Sequence, residues 1–100
     1  MLYAIFAEDV PDSQNLRQAA RAAHLVRLQH LQDEGRLVLA GPLLAMDAPD
    51  PGPAGFHGSL IVAEFPSLAD AEAWLEAEPF VSEGVFARTW VHPFKQTFPQ

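Results

Sequence analysis

Six segments of the chain carry the hydrophobic spacing of regular secondary structure, and they follow one another in the order β-α-β-β-α-β. Short apolar runs that include β-branched and aromatic residues predict strands at residues 2–7, 37–45, 59–65 and 85–92. A helix is predicted from Ser13, as its N-cap, to about Glu34, with Gly35 as its stop. A second helix is predicted from a capping-box-like start at Ser67 and Asp70 to about Ala77.

This order of elements predicts a ferredoxin-like α+β domain. Two right-handed crossovers on one antiparallel sheet place both helices on the same sheet face. Pro42 has no amide hydrogen to donate, so the second strand is predicted to lie at a sheet edge or to carry a bulge. The Pro- and Gly-rich segment 46–56 is predicted to be a loop within the domain, because neither side of it could fold alone. Residues 1–100 therefore form a single domain.

The first and third predicted strands are apolar on both faces. In the first strand Leu2, Ala4 and Phe6 alternate with Tyr3 and Ile5, and the third strand has the same character. The helices can cover only one of these faces, and a large open apolar face is rare on a monomer. The pattern therefore predicts a homodimer in which two sheets pack face to face.

Charge and residue content narrow the classes of function. The 13 acidic residues outnumber the 6 Lys and Arg residues, and the resulting net charge of −7 disfavours nucleic acid as a partner. Cysteine is absent, which excludes a disulfide framework and a thiolate nucleophile. The longest apolar stretch is about ten residues, too short for a membrane span, and the N-terminal segment has no basic region typical of a secretory signal. We expect a cytoplasmic protein that does not bind membranes.

No cofactor or metal motif is recognisable. The glycines fit neither the GxGxxG nor the P-loop pattern, and the four histidines form no HxH, HxxxH or HExxH pattern. His24 and His30 fall on nearly opposite sides of the predicted helix, so they cannot share a metal ion. We therefore expect neither a metal nor another cofactor.

His24 lies at the centre of an apolar stripe on the first predicted helix, at helical spacing from Leu16, Ala20, Leu28 and Leu31. A titratable ring on a buried helix face has two interpretations. It is either a core histidine bonded to a carbonyl, or a general acid or base held where the helix meets the sheet. The spacing alone leaves both open.

Three charged residues are candidates for the same site. Arg17 and Arg21 precede His24 on the helix, and Arg17 lies beside it on the helical wheel. An arginine there could bind a substrate carboxylate, or it could belong to a solvated helix face. Glu78 lies at the break after the second helix, before Pro79, where it is either a partly desolvated carboxylate or an ordinary surface acid.

The order and spacing of several segments resemble the YciI family of YCII-related domain proteins. These segments are MLYAIFAED, RQAARAAHLVRLQHLQDEGRL, LAGPL, AGFHGSLIVAEF, AEAWLEAEPFVSEGVF and VHPFKQTF. The resemblance implies a dimeric α/β-barrel, which agrees with the dimer expected from the strands, and a distant kinship with muconolactone-isomerase-like proteins. It also implies a site that pairs a histidine, matched by His24, with an aspartate of an Asp-Pro-aromatic motif. This chain has Glu78 at that position, so its carboxylate is one methylene further out.

Two functions follow from these observations. In the first, His24 removes a proton next to a carbonyl of a small organic acid or lactone, Glu78 orients the imidazole, and Arg17 and Arg21 bind the substrate. In the second, the chain is a non-catalytic ligand-binding or interaction dimer with a structural His24. For the first we expect the Glu78 carboxylate to point into a cleft, within hydrogen-bond reach of the His24 ring, with Trp74 and Phe80 packing its stem.

Overall fold

A four-stranded antiparallel sheet with helices on one face makes up the computed structural model, which describes all 100 residues. The strands β1 to β4 are Leu2–Asp9, Leu37–Leu44, Phe56–Glu64 and Phe86–Phe94. The helices α1 to α3 are Gln14–Asp33, Leu68–Glu76 and Pro79–Ser82, and a single 3₁₀ turn spans Gly52–Ala54. The strands lie in the order β2-β3-β1-β4. This is the ferredoxin-like α+β topology predicted from the sequence.

The main core lies between the sheet and the two longer helices. Alternate residues of β1 face the helices, and their partners on β3 face the same way because paired residues of antiparallel strands share a face. The buried apolar cluster consists of Tyr3, Ile5, Leu31, Ile61, Ala63, Phe65, Ala71 and Leu75. A smaller buried cluster of Ala20, Phe80 and Val85 lies where α1 meets α3.

The opposite sheet face is open in the single chain. Phe6 of β1 pairs with Leu60 on one side and with Trp90 on the other. Phe6 is 45% exposed and Trp90 40% exposed. The first strand is therefore covered on one of its two apolar faces only, and we call the other the open sheet face. By the strand register, this face carries Leu2, Ala4, Phe6, Leu39, Leu60, Val62, Trp90 and Phe94, of which Val62 is buried.

The ends of the helices and strands carry the residues expected there, with one exception. Ser67 caps α2, with its hydroxyl accepting from the Asp70 amide at 3.1 Å, and Gly35 follows α1 with φ of +71°. Pro42 lies in β2, which is an edge strand with register shifts near both of its ends, as predicted. Ser13 precedes α1, but its hydroxyl donates to Asp9 instead of accepting from a helix amide.

Several boundaries differ from the predicted ones. β1 continues to Asp9, two residues beyond its predicted end. β3 begins at Phe56, because Phe56 pairs with Leu44 beyond a register shift. β4 extends to Phe94, so residues expected in a surface tail belong to an edge strand, where Pro93 costs no ladder bond. The segment after α2 breaks the helix as expected but then starts α3 at Pro79, a favoured first helical position. None of the helices is both long and apolar enough to cross a bilayer.

Candidate active site

A cleft of about 460 Å³ opens between α1 and the edge strand β2. Its polar lining consists of Gln14, Arg17, Gln18, Arg21, His24 and Ser59. Its other walls are largely apolar and include Leu25, Leu28, Phe56, Ile61 and Phe80. No Asp or Glu lines the cleft, although the chain contains 13 acidic residues. The lining therefore favours an anionic molecule.

His24 presents one ring nitrogen to the protein and the other to the cleft. The ring is stacked on Phe80 at 4.0 Å with an angle of 14° between the planes. Its Nδ1 lies 2.5 Å from Glu78 Oε1. Nε2 has no protein partner, while every fully buried side-chain nitrogen or oxygen has one. Nε2 is therefore accessible from the cleft that His24 lines, and Leu28 and Leu31 do not seal it off.

Glu78 is completely buried and accepts three hydrogen bonds. Besides His24, its carboxylate accepts from Arg27 Nη1 at 2.6 Å and from the Phe80 amide at 3.4 Å. The Arg27 guanidinium on Oε2 favours an ionised carboxylate, which has no hydrogen to donate, so we assign His24 Nδ1 as the donor. A neutral His24 then carries its lone pair on Nε2, at the cleft.

The expected proximity of Glu78 to the His24 ring is confirmed, with direct contact. The expectation that the carboxylate points into the cleft is wrong. Glu78 is 0% exposed and lies behind the ring, because it is the N-cap of α3 and its side chain turns back toward the Phe80 amide. The cleft thus reaches Glu78 only through His24. Trp74 lies against Arg27, with its ring centroid 4.2 Å from the guanidinium carbon.

Arg27 completes this cluster, and the sequence did not single it out. Its Nη2 donates to the Trp74 carbonyl at 2.7 Å while Nη1 binds Glu78. The sequence feature that could have identified Arg27 is its position three residues after His24, which puts both side chains on one face of α1.

Arg17 is a buried arginine of α1, not part of a solvated helix face. Its Nε and Nη2 bind the Asp9 carboxylate at 2.6 and 3.0 Å, and Nη2 also donates to the Gly58 carbonyl and the Ser59 hydroxyl. The Arg17 guanidinium, which was predicted to bind a substrate carboxylate, thus binds Asp9 instead. Its Nη1 is the one guanidinium nitrogen without a protein partner. Asp9 was missed, although it continues the buried alternation of Tyr3, Ile5 and Ala7.

Arg21 lines the cleft near Arg17 but is exposed and binds no carboxylate. The other four arginines each pair with an Asp or Glu. An arginine left free in an acid-rich chain, at a cleft without acids, is available to an incoming anion. The remaining histidines, His30, His57 and His92, are exposed and do not line the cleft. Nowhere do three His, Asp or Glu side chains form a group that could hold a metal ion.

Comparison with known proteins gives consistent matches over nearly the whole chain. The model of the YCII-related domain matches residues 1–95. Protein YciI of Escherichia coli O6:H1 is 54% identical over 98 residues, which cover 98% of this chain and 100% of that protein. An uncharacterized protein of Haemophilus influenzae is 46% identical over the same span.

One solved structure is similar in both sequence and shape. It is the 5-chloro-2-hydroxyhydroquinone dehydrochlorinase from Burkholderia phenoliruptrix AC1100, in complex with 2,5-dihydroxybenzoquinone. It is 30% identical to this chain, with a TM-score of 0.83, over 95% of this chain and 94% of that one.

Proposed function

The chain belongs to the family of YCII-related domain proteins, and we propose that it is an acid–base enzyme that acts without a cofactor on a small organic acid or lactone. One observation carries the proposal. His24 turns a free Nε2 toward a cleft lined by two arginines and no carboxylate, while a fully buried Glu78 binds its Nδ1. This is the arrangement that a histidine base needs, with one nitrogen fixed and the other open.

The proposed reaction begins with proton transfer to His24. Nε2 removes a proton from the carbon next to a carbonyl, and the electron pair of the broken C–H bond moves into an enolate. Glu78 stabilises the imidazolium that forms, since its carboxylate is in contact with the ring. Arg17 Nη1 and Arg21 bind the anionic oxygens of the substrate. The enolate then either takes the proton back at another carbon, which is an isomerisation, or expels a leaving group, which is an elimination.

The dehydrochlorinase supports an elimination in particular. Its name describes the loss of HCl from a small ring compound, and its structure holds another small ring. The cleft of about 460 Å³ has room for a molecule of this size.

A non-catalytic ligand-binding or interaction dimer is the second candidate. The observation that favours it is the ion-pair cluster of His24, Glu78 and Arg27, which joins α1 to the segment after α2. Such a buried cluster would be retained for the fold alone if removing one partner left a charge unpaired. In that case His24 is structural.

A panel of small organic acids and lactones, screened by thermal shift at fixed protein concentration, distinguishes the two. The best ligand is then tested for turnover and for binding to His24→Asn. We expect a folded variant whose turnover falls by about 100-fold or more and which no longer binds the ligand. His30→Asn, an exposed change on the same helix, is the control and keeps both. Unchanged binding in a His24→Asn variant destabilised by about 1–3 kcal/mol would favour the structural role.

The proposal includes a homodimer formed through the open sheet face. Its support is the apolar surface that a single chain leaves uncovered, where Phe6, Trp90 and Phe94 are each at least 40% exposed. Two such faces packed together are the homodimer that the strand pattern favours and would form the dimeric α/β-barrel that the family resemblance implies. The cleft lies on the helix side of the sheet, so the dimer leaves it accessible.

A further inference from the structure

The two oxygens of the Glu78 carboxylate have different partners. Oε1 contacts His24 Nδ1 and accepts a long bond from the Phe80 amide, and Oε2 accepts from Arg27 Nη1 at 2.6 Å. A glutamate side chain has several rotatable bonds and loses conformational entropy when it is fixed. The arginine therefore sets which way the carboxylate is turned when it meets the ring.

Arg27 is itself held firmly enough to do this. Its Nη2 donates to the Trp74 carbonyl at 2.7 Å, and its guanidinium lies over the Trp74 ring, 4.2 Å from the centroid. A guanidinium has five N–H donors and no acceptor. Whatever group faces Arg27 from position 78 must therefore present an oxygen.

We propose that Arg27 is a positioning residue that acts through Glu78 to keep the hydrogen of His24 on Nδ1 and the lone pair on Nε2, at the cleft. The catalytic consequence rests on the proposed function, because only a base needs that lone pair. The tautomer itself is a property of the folded protein and is measurable without any substrate.

The variant Glu78→Gln tests this inference directly. A glutamine has one oxygen and one NH₂ group, and the charged Arg27, at 2.6 Å, competes for the oxygen more strongly than the Phe80 amide at 3.4 Å. The NH₂ group then faces His24 Nδ1, which must become an acceptor, so the ring hydrogen moves to Nε2. We expect the ¹⁵N spectrum of the imidazole, recorded at a pH where the ring is neutral, to change from the Nδ1–H form to the Nε2–H form.

The double variant Arg27→Met, Glu78→Gln should reverse the change. Without the guanidinium, the glutamine oxygen is free to turn toward His24, and the Phe80 amide, which already donates to this position, favours it there. We expect the Nδ1–H form to return. This variant leaves no unpaired charge at position 78. Arg27→Met alone would leave the buried Glu78 carboxylate without its arginine partner.

Arg36→Met in the Glu78→Gln background is the matched control. Arg36 also pairs with a carboxylate, donates to a carbonyl and lies over an aromatic ring, but its partners are Glu34, Glu64 and Phe65. It should leave the Nε2–H form unchanged. The inference is overturned if Glu78→Gln keeps the Nδ1–H form, or if removing Arg27 does not restore it. Because the readout is spectroscopic, a failure to find any turnover would bear on the proposed function alone.

Discussion

Two buried carboxylates, Asp9 and Glu78, each bind an arginine of α1 next to the cleft. Both are at most 9% exposed, so neither charge is screened by water. Asp9 accepts from two nitrogens of Arg17 and from the Ser13 hydroxyl. At the scale of single residues, the cleft therefore depends on ion pairs that lie behind its lining.

Asp9→Asn tests the pair that holds Arg17. The change leaves a buried guanidinium without its carboxylate, and we expect the free energy of unfolding to fall by about 3 kcal/mol or more. Urea denaturation measures it. Glu8→Gln is the neighbouring control, because the Glu8–Arg88 pair has side chains 32% and 63% exposed and should cost less than about 1 kcal/mol. Equal losses of unfolding free energy in the two variants would show that the contribution of an ion pair here does not depend on its burial.

Sequence periodicity predicted His24 because a ring on an apolar stripe stands out. It did not predict Asp9 or Arg27, for two physical reasons. The acidic residues Glu8 and Asp9 break the apolar run, so the first strand was predicted to end before them, although Asp9 is buried at its end. The partner of Arg27 is Glu78, 51 residues away along the chain. Only the folded chain shows which charges meet.

At the scale of elements, β1 and β3 approach each other closely at Gly58, next to the site. A Cβ on Gly58 would lie 1.9 Å from the Ala7 carbonyl oxygen, far closer than van der Waals contact. The Gly58 carbonyl also accepts from Arg17. Close packing of these two strands thus places one acceptor of the buried arginine.

Gly58→Ala should therefore separate the strands locally. We expect a loss of about 3 kcal/mol or more in the free energy of unfolding, as overpacking against backbone requires the chain to move. Gly41→Ala is the control, since a Cβ there meets nothing within 4 Å and should change stability by less than about 1 kcal/mol. Chemical denaturation of both variants checks the difference, and a tolerated Gly58→Ala would contradict this packing.

Elements with many residues were predictable, and short ones were not. The 20 residues of α1 give a full apolar stripe, whereas α3 has only four residues and shows no periodicity. Yet α3 turns the Glu78 carboxylate inward through its N-cap. The detail that most affects the site therefore lies in the element with the weakest sequence signal.

At the scale of the whole molecule, charge and apolar surface are separated. The chain carries a net charge of −7, while the cleft is lined by arginines and no acids. On the other side of the sheet, the open sheet face exposes large apolar side chains. The two-sided strand pattern predicted this surface from sequence, because side chains alternate across a strand and helices cover one side only.

Phe6→Glu tests what covers the open sheet face. Phe6 lies between Leu60 and Trp90 on the central strand β1. In a two-fold dimer the new charge would appear twice in an apolar interface, without a partner. We expect the wild-type chain to sediment as a dimer at micromolar concentration, with an interface above about 2,000 Å² in total, and Phe6→Glu to sediment as a folded monomer. Val26→Glu, at a 54% exposed position of α1, should remain dimeric. A wild-type monomer, or a Phe6→Glu dimer, would show that this face is not the interface.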